Sequence, residues 1–247
     1  MILIKLGGSI ITNKEKALSS RKKTIDNLSK SLKKIKEPVI IVHGGGSYGH
    51  YWSVKYDMHT KEEKYNPKGV AIVKNSMIAL NKIILDSLIK NKLNPYCLPP
   101  TDFMSGNKPI TKKIKEIEKI AKSGLIPVTY GDALWFGQQK TYILSGDKIM
   151  THLAKILKPK LCIFVLNEDG LYSDLKSKKL IYELHSQRPS ISENKMDVTG
   201  GMTRKVEEAS KISKMGMNVF FVNGNKPGRI VKAVKNKTFE GTLFRGK

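Results

Sequence analysis

The chain has little cysteine, little arginine and no long apolar run. Its 247 residues include two cysteines, Cys97 and Cys162. They are isolated, with neither metal-ligand spacing nor the pattern of a disulfide framework. No stretch approaches the ~18 apolar residues of a membrane-spanning helix, so no membrane association is expected. The opening Met1-Ile2-Leu3-Ile4-Lys5-Leu6 has no basic stretch ahead of its apolar run and no cleavage-like site, so no signal peptide is expected. What is present is ordinary for a folded chain: 40% hydrophobic and 27% charged residues, which excludes wholesale disorder. A chain of this length buries a sizeable core without crosslinks or metals. The expectation is a soluble cytoplasmic protein forming one unit over residues 1–247.

Acidic residues are also scarce. Lys and Arg number 45 against 21 Asp and Glu, giving a formal charge of +24. Such basicity points to a polyanionic partner: nucleic acid, an anionic membrane or phosphate. Yet the only arginines are Arg21, Arg188, Arg204, Arg229 and Arg245. Readers of bases and phosphates favour the planar arginine fork. The lysines are spread along the chain, as on solvated helix faces. No helix-turn-helix, zinc-finger or aromatic RNA-binding signature is present, so no nucleic-acid partner is expected. A basic nucleic-acid-binding protein remains the competing reading from another class.

Apolar runs rich in β-branched residues recur at Ile2–Leu6, Val39–His43, Pro95–Leu98, Leu125–Tyr130, Leu161–Leu166 and Asn218–Val222. Short continuous runs of this kind suit strands buried on both faces of a parallel sheet. A last strand is expected over 238–242. Between the strands lie helical patterns at 22–36, 69–90, 111–122, 146–157 and 202–215. The alternation predicts an α/β fold with helices on both faces of a mostly parallel sheet. Residues 51–68 and 132–144 break the alternation and are candidate lids or hairpins.

In such sheets ligands sit beyond the carboxyl ends of the strands. The residues there are Gly7-Gly8-Ser9, Gly44-Gly45-Gly46-Ser47-Tyr48-Gly49-His50, Gly131-Asp132 and Asn167-Glu168-Asp169-Gly170, with Thr199-Gly200-Gly201-Met202 before a later helix. Glycine lets the backbone approach a ligand, and successive backbone N–H groups make anion nests. Tight turns alone would explain one such loop more readily than the whole set. There is no G-x-x-x-x-G-K-[ST], so this is not a P-loop enzyme. A G-x-G-x-x-G occurs at Gly44, Gly46 and Gly49, but the acidic residues about 20 positions on, Glu62 and Glu63, lie in a polar stretch rather than at a strand end.

Together, Lys5-Leu6-Gly7-Gly8-Ser9, His43-Gly44-Gly45-Gly46-Ser47, Ser145-Gly146-Asp147, Asn167-Glu168-Asp169-Gly170-Leu171-Tyr172 and Thr199-Gly200-Gly201-Met202 with Lys205 resemble the amino acid kinase superfamily. The match runs from residue 2 to about 224. His50 and Lys14 look like those of its isopentenyl phosphate kinases; fosfomycin-phosphorylating kinases are close relatives. The resemblance implies a three-layer αβα sandwich and a homodimer. It implies acceptor-binding and lid elements mainly in 1–145 and nucleotide-binding elements mainly in 146–247. The implied activity is phosphoryl transfer from ATP, with Mg²⁺, to isopentenyl phosphate. Its product, isopentenyl diphosphate, belongs to isoprenoid biosynthesis by an alternate mevalonate pathway. A fosfomycin, uridylate, glutamate or carbamate kinase is the alternative within the superfamily. Some glutamate kinases and aspartokinases carry C-terminal RNA-binding or regulatory domains, for which no segment is expected here.

By the same resemblance Lys5, Lys14 and Lys205 act on the transferring phosphates, and Asp147 holds Lys5 and Lys205. Gly45, His50 and Gly131 contact the acceptor. Gly7, Gly8, Ser9, Gly46, Asn167, Tyr172, Gly201 and Lys205 contact the nucleotide. No residue is assigned to a metal. Asp147 could also cap a helix, and Lys205 is expected on the first turn of its helix. Relatives usually carry Asp-x-Asp-Gly-x-Tyr after the fifth strand, and here the first aspartate is Asn167. Asn can still accept from a ribose hydroxyl or an adenine amine. An isoprenoid tail would need an apolar slot, for which Ile72, Met77, Ile78 and Ile83 beside Tyr51, Trp52 and Tyr56 are candidates. Ordinary core packing is the bland reading of each. His43 is expected to end its strand structurally.

Overall fold

The computed structural model describes residues 1–13, 16–174, 177, 179–185 and 200–246. In chain order the elements are β1 (Ile2–Leu6), α1 (Gly8–Ile11), α2 (Lys22–Leu32), β2 (Val39–His43), α3 (Gly46–Lys55), α4 (Pro67–Lys90) and β3 (Pro95–Cys97). Then come β4 (Met104–Ser105), β5 (Lys108–Pro109), α5 (Thr111–Lys122), β6 (Ile126–Tyr130), β7 (Asp132–Gly137), β8 (Lys140–Leu144), α6 (Gly146–Leu157) and β9 (Leu161–Leu166). The last are β10 (Leu171–Asp174), β11 (Lys179–Ile181), β12 (Glu183–His185), α7 (Gly200–Lys214), β13 (Val219–Asn223), α8 (Gly228–Val234) and β14 (Thr242–Arg245).

An eight-stranded sheet runs in the order β12-β14-β13-β9-β1-β2-β6-β3. From β13 to β3 every pairing is parallel, while β14 lies antiparallel to β13 and β12 parallel to β14. Side chains alternate between two apolar layers. Ile2, Ile4 and Leu6 of β1 join Ile41 and Ile163 on one face, against α2, α4 and α8. Leu3 joins Ile40, Val42 and Phe164 on the other, against α5, α6 and α7. Burial on both faces is why these strands read as unbroken apolar runs. The result is the expected αβα sandwich with a mostly parallel sheet.

The order of the sheet turns at β1. β2, β6 and β3 lie to one side and β9, β13, β14 and β12 to the other. Such a switch point opens a crevice at the carboxyl ends of the strands. The segment 132–144 forms the β7–β8 hairpin, one of the two forms expected for it.

Several boundaries differ from expectation. The final strand is Thr242–Arg245 rather than 238–242. Before it, Phe239 packs on the Phe220 ring at 5.1 Å and Glu240 pairs with Arg229, so the chain joins the sheet only afterwards. The helix expected over 22–36 ends at Leu32. Beyond it the chain tightens, the Lys34 amide donating to the Ser31 carbonyl and the Ile35 amide to the Leu32 carbonyl, each at 3.0 Å. Of the segment 51–68, residues 51–55 are helical and continue α3 from Gly46.

The long helix α4 supplies one wall of the crevice. Pro67 occupies its first turn, and the Asn66 side chain accepts from the amides of Lys68 at 2.9 Å and Gly69 at 3.4 Å. Such a cap satisfies amides that have no partner within the helix. Asn66→Ala is expected to destabilise the fold by about 1 kcal/mol, read as a lower urea midpoint with an unchanged m-value.

Candidate active site

The Leu6–His43 pairing sets β1 and β2 in register, so the glycine turns that follow them emerge side by side. A methyl group on Gly8 would lie 2.3 Å from the Gly46 amide nitrogen, and one on Gly44 2.9 Å from the Gly8 nitrogen. Gly46 also has φ +48°, in the left-handed region that glycine enters without strain. On the next strand, a methyl on Gly131 would meet the Leu144 carbonyl oxygen at 2.9 Å. Gly7 has a packing role as well: its amide donates to the Val165 carbonyl at 2.9 Å.

These turns border a cleft of about 930 Å³. Of the residues expected at the site, it brings together Lys5, Gly8, Ser9, Gly45, Gly46, His50, Gly131, Asp147, Gly201 and Lys205. Gly7, Asn167 and Tyr172 lie off its wall. Asn167 is tied to it, since the Ser9 hydroxyl donates to Asn167 Oδ1 at 3.1 Å. Tyr172 is buried on β10. The following loop is fixed by Asp169, which accepts from Asn223 and Arg229. Burial pushes the Asp169 carboxyl up, but these hydrogen bonds and the guanidinium charge outweigh it and hold the group below its ordinary value. Lys14 and Thr199 lie outside the described residues.

Lys5 is the central charge. It is 3% exposed and sits on β1 where the second apolar layer ends at the cleft. Its ammonium lies 3.0 Å from Asp147 Oδ1 and 5.9 Å from the centre of the Phe164 ring. An unpaired buried ammonium would be costly; the carboxylate offsets that cost and fixes the lysine's direction. Asp147 does not cap α6. Ser145 does, accepting from the Lys148 amide at 3.2 Å, while Asp147 occupies the first turn, where the helix dipole favours an anion. Lys205 lies on the second turn of α7, not the first, because the helix begins at Gly200. Its ammonium donates to the Gly201 carbonyl.

Three features escaped the sequence reading. Arg204 lines the cleft beside Lys205. Asp132 also lines it, with its carboxylate almost fully buried. Lys74 of α4 donates to Asp132 Oδ2 at 2.6 Å and to the Ala133 carbonyl at 3.2 Å. Burial raises the Asp132 pKa and Lys74 opposes the shift. The third is the identity of four residues, Val54, Met58, Val73 and Ile143, that complete an apolar wall with the expected Met77. Of the slot residues proposed from sequence, Met77 and Tyr51 line the cleft. Trp52, Tyr56 and Ile83 pack against the first core layer, and Ile78 faces outward at 54% exposure. The turn residue Asp132 was visible after β6, but nothing in the sequence pairs it with a lysine 58 positions earlier.

Residues 1–223 match the model of the amino acid kinase family, and the chain belongs to that family. It is 32% identical to the isopentenyl phosphate kinase of Thermoplasma acidophilum, over 99% of this chain and 100% of the relative. It is 30% identical to that of Methanocaldococcus jannaschii, over 98% of this chain and 97% of the relative. The crystal structure of the T. acidophilum isopentenyl phosphate kinase product complex superposes with a TM-score of 0.83 at 28% identity, covering 99% of this chain and 100% of that one. Within the family, then, the chain groups with the isopentenyl phosphate kinases.

His43 does end β2 as expected, and it is fully buried. Its ring lies 5.3 Å from that of Tyr130, with Nδ1 3.1 Å from the Gly44 carbonyl and Nε2 3.2 Å from Asn81 Oδ1. Burial pushes its pKa down from 6.5 to about 4. Between those values the unfolded chain binds the extra proton and the folded one does not, so stability falls as pH falls through the window. The loss from this group should be on the order of 3 kcal/mol. His43→Gln is expected to show a shallower decline in unfolding free energy between pH 7 and 4.5 than the parent. Equal slopes in urea titrations would contradict the assignment.

Proposed function

We propose that this chain transfers the γ-phosphoryl group of ATP to isopentenyl phosphate, forming isopentenyl diphosphate. The observation that carries this reading is one cleft in which Lys5, His50, Lys205 and the glycine turns meet an apolar wall of Val54, Met58, Val73, Met77 and Ile143. A phosphate on a short hydrocarbon tail has the matching polarity. The phosphate monoester is largely dianionic near neutral pH and needs no general base. One of its oxygens bonds to the γ-phosphorus while the bond to the bridging oxygen of ADP breaks. Catalysis then rests on positioning and on stabilising charge.

In this reading Lys5 and Lys205 face the transferring phosphate, and Asp147 orients them. Lys14 joins them. His50 donates to the acceptor phosphate, and Gly45 and Gly131 contact it through the backbone. Gly7, Gly8, Ser9, Gly46 and Gly201 surround the nucleotide phosphates, with Asn167 and Tyr172 toward the nucleoside. The acceptor elements fall mainly in 1–145 and the nucleotide elements mainly in 146–247 of one domain. Mg²⁺ would arrive with ATP. Among the described residues, the carboxylates lining the cleft, Asp132 and Asp147, are paired with lysines, and no metal-binding cluster occurs. Phosphate oxygens and water would therefore supply most of its ligands.

No helix among the described residues is long and apolar enough to cross a membrane; we place the enzyme in the cytoplasm. We also propose a homodimer, supported by the exposed Ile78 and Ile89 of α4 and Tyr96 on the edge strand β3.

The test is a panel of acceptors with Mg-ATP: isopentenyl phosphate, fosfomycin, uridylate, glutamate and carbamate. Isopentenyl phosphate should give the highest kcat/KM, and a preference for a carboxylate or nucleotide would overturn the reading. His50→Ala should lower kcat/KM for isopentenyl phosphate by roughly 100-fold, the usual cost of losing one donor to a developing charge. Undiminished turnover in that variant would remove His50 from the acceptor site. Chelation by EDTA should abolish turnover, and added Mg²⁺ should restore it.

A further inference from the structure

The two glycine turns in contact beneath the cleft share one buried hydroxyl. Thr12 is fully buried. Its Oγ1 donates to the Gly8 carbonyl at 2.7 Å and accepts from the Ser47 amide at 2.9 Å. Gly8 opens the short helix α1 after β1, and Thr12 closes it. Ser47 stands in the first turn of α3, three residues ahead of His50 on the same helix. A methyl group on Gly46 would lie 2.0 Å from Thr12 Oγ1, so the hydroxyl fills the space that glycine leaves. A second link reinforces the first: the Ser19 amide donates to Ser47 Oγ at 3.3 Å, and Ser20 forms a β-bridge with Thr12.

We infer that Thr12 is a positioning residue whose hydroxyl locks the nucleotide-side backbone at Gly8 to the start of α3, the helix that carries Gly46 toward the nucleotide and His50 toward the acceptor, and so sets the separation of the two reacting phosphates. The inference rests on the functional reading above for what each turn holds. The chemistry follows from the bonding. A hydroxyl is donor and acceptor at once, so one atom can join a carbonyl on one loop to an amide on another. Valine has the same shape but neither capacity. The Gly8 carbonyl would keep a partner in the Thr12 amide, at 2.9 Å. The Ser47 amide would lose its partner, and the start of α3 would be held only by the longer Ser19–Ser47 bond. Each substrate alone would still find its turn. What would suffer is alignment in the ternary complex, where a misplacement of about 1 Å costs on the order of 100-fold in rate.

The test compares Thr12→Val, Thr12→Ser and the parent. Dissociation constants are measured separately for ADP and for isopentenyl phosphate, and kcat under saturation. Thr12→Val should keep both binary constants within about twofold while kcat falls roughly 10- to 100-fold; Thr12→Ser, which retains the hydroxyl, should restore kcat to within about threefold of the parent. A parental kcat in Thr12→Val overturns the inference. So does a loss of both binary affinities that matches the loss of kcat, since that is the mark of a general structural role. If Thr12→Val does not fold, Thr12→Ala against Thr12→Ser decides: equal kcat values count against the hydroxyl. If the parent ignores isopentenyl phosphate but uses another acceptor of the panel, the functional reading falls, and the Thr12 comparison is made on that acceptor.

Discussion

The approach of two main chains at the ends of β1 and β2 governs the architecture of the site. The turn at Gly8 and the turn at Gly46 are separated by less than the space of one methyl group. That contact requires parallel strands in register, glycine on both sides and a left-handed residue at Gly46. In exchange, backbone from both turns reaches one cleft, where side chains would otherwise stand between it and a phosphate. Two polyanions must come together in such a reaction. Cations lower their repulsion, but only a short, fixed separation between their cradles brings the reacting atoms into line.

The same geometry explains how a lysine can sit in a buried layer. Along β1, Ile2, Ile4 and Leu6 point to one face and Leu3 and Lys5 to the other. Lys5 therefore takes the last place in an apolar row, with its ammonium over the Phe164 ring and at the cleft. Asp147 meets it from the first turn of α6. A methyl group on Gly146 would lie 3.2 Å from Lys5 Cε, so the glycine before the aspartate makes room for the lysine. Strand alternation, helix start and glycine thus combine into one oriented charge. Its direction is set before any substrate arrives, which is what electrostatic preorganisation requires.

Much of this was legible in the sequence, and what was not has physical causes. The central strands were readable because burial on both faces makes them continuous apolar runs. Helices α5 and α6 were readable to the residue, since Ile114, Ile117 and Ala121, or Ile149, Leu153 and Leu157, repeat at helical spacing. α3 was hidden. Its sequence, Gly46-Ser47-Tyr48-Gly49-His50-Tyr51-Trp52-Ser53-Val54-Lys55, has two poor helix formers near its start and no clear apolar stripe. Those glycines are there for close packing, Gly49 lying against Met77 Sδ, and packing overrides propensity. The Lys74–Asp132 pair was hidden for a different reason. It joins α4 to the turn after β6, and no local pattern encodes a contact between distant segments. Arg204 carries no local signal that sets it apart from the other basic residues of the chain.

The +24 charge divides along the same line. On the helices, lysines meet acids one turn away: Lys30 with Asp26, Lys82 with Asp86 and Lys122 with Glu118. Such exposed pairs contribute little to stability and serve mainly to hold a highly charged surface in water. In the cleft the balance is different. The carboxylates there, Asp132 and Asp147, each face a lysine, so neither presents an uncompensated negative charge to an incoming phosphate. Among the described residues the acids of the cleft are thus already paired, and Lys205, Arg204 and the glycine turns line it beside them. A carboxylate at an anion site would ordinarily repel the ligand. Paired in this way, Asp147 instead orients Lys5 and Asp132 ties the turn after β6 to α4.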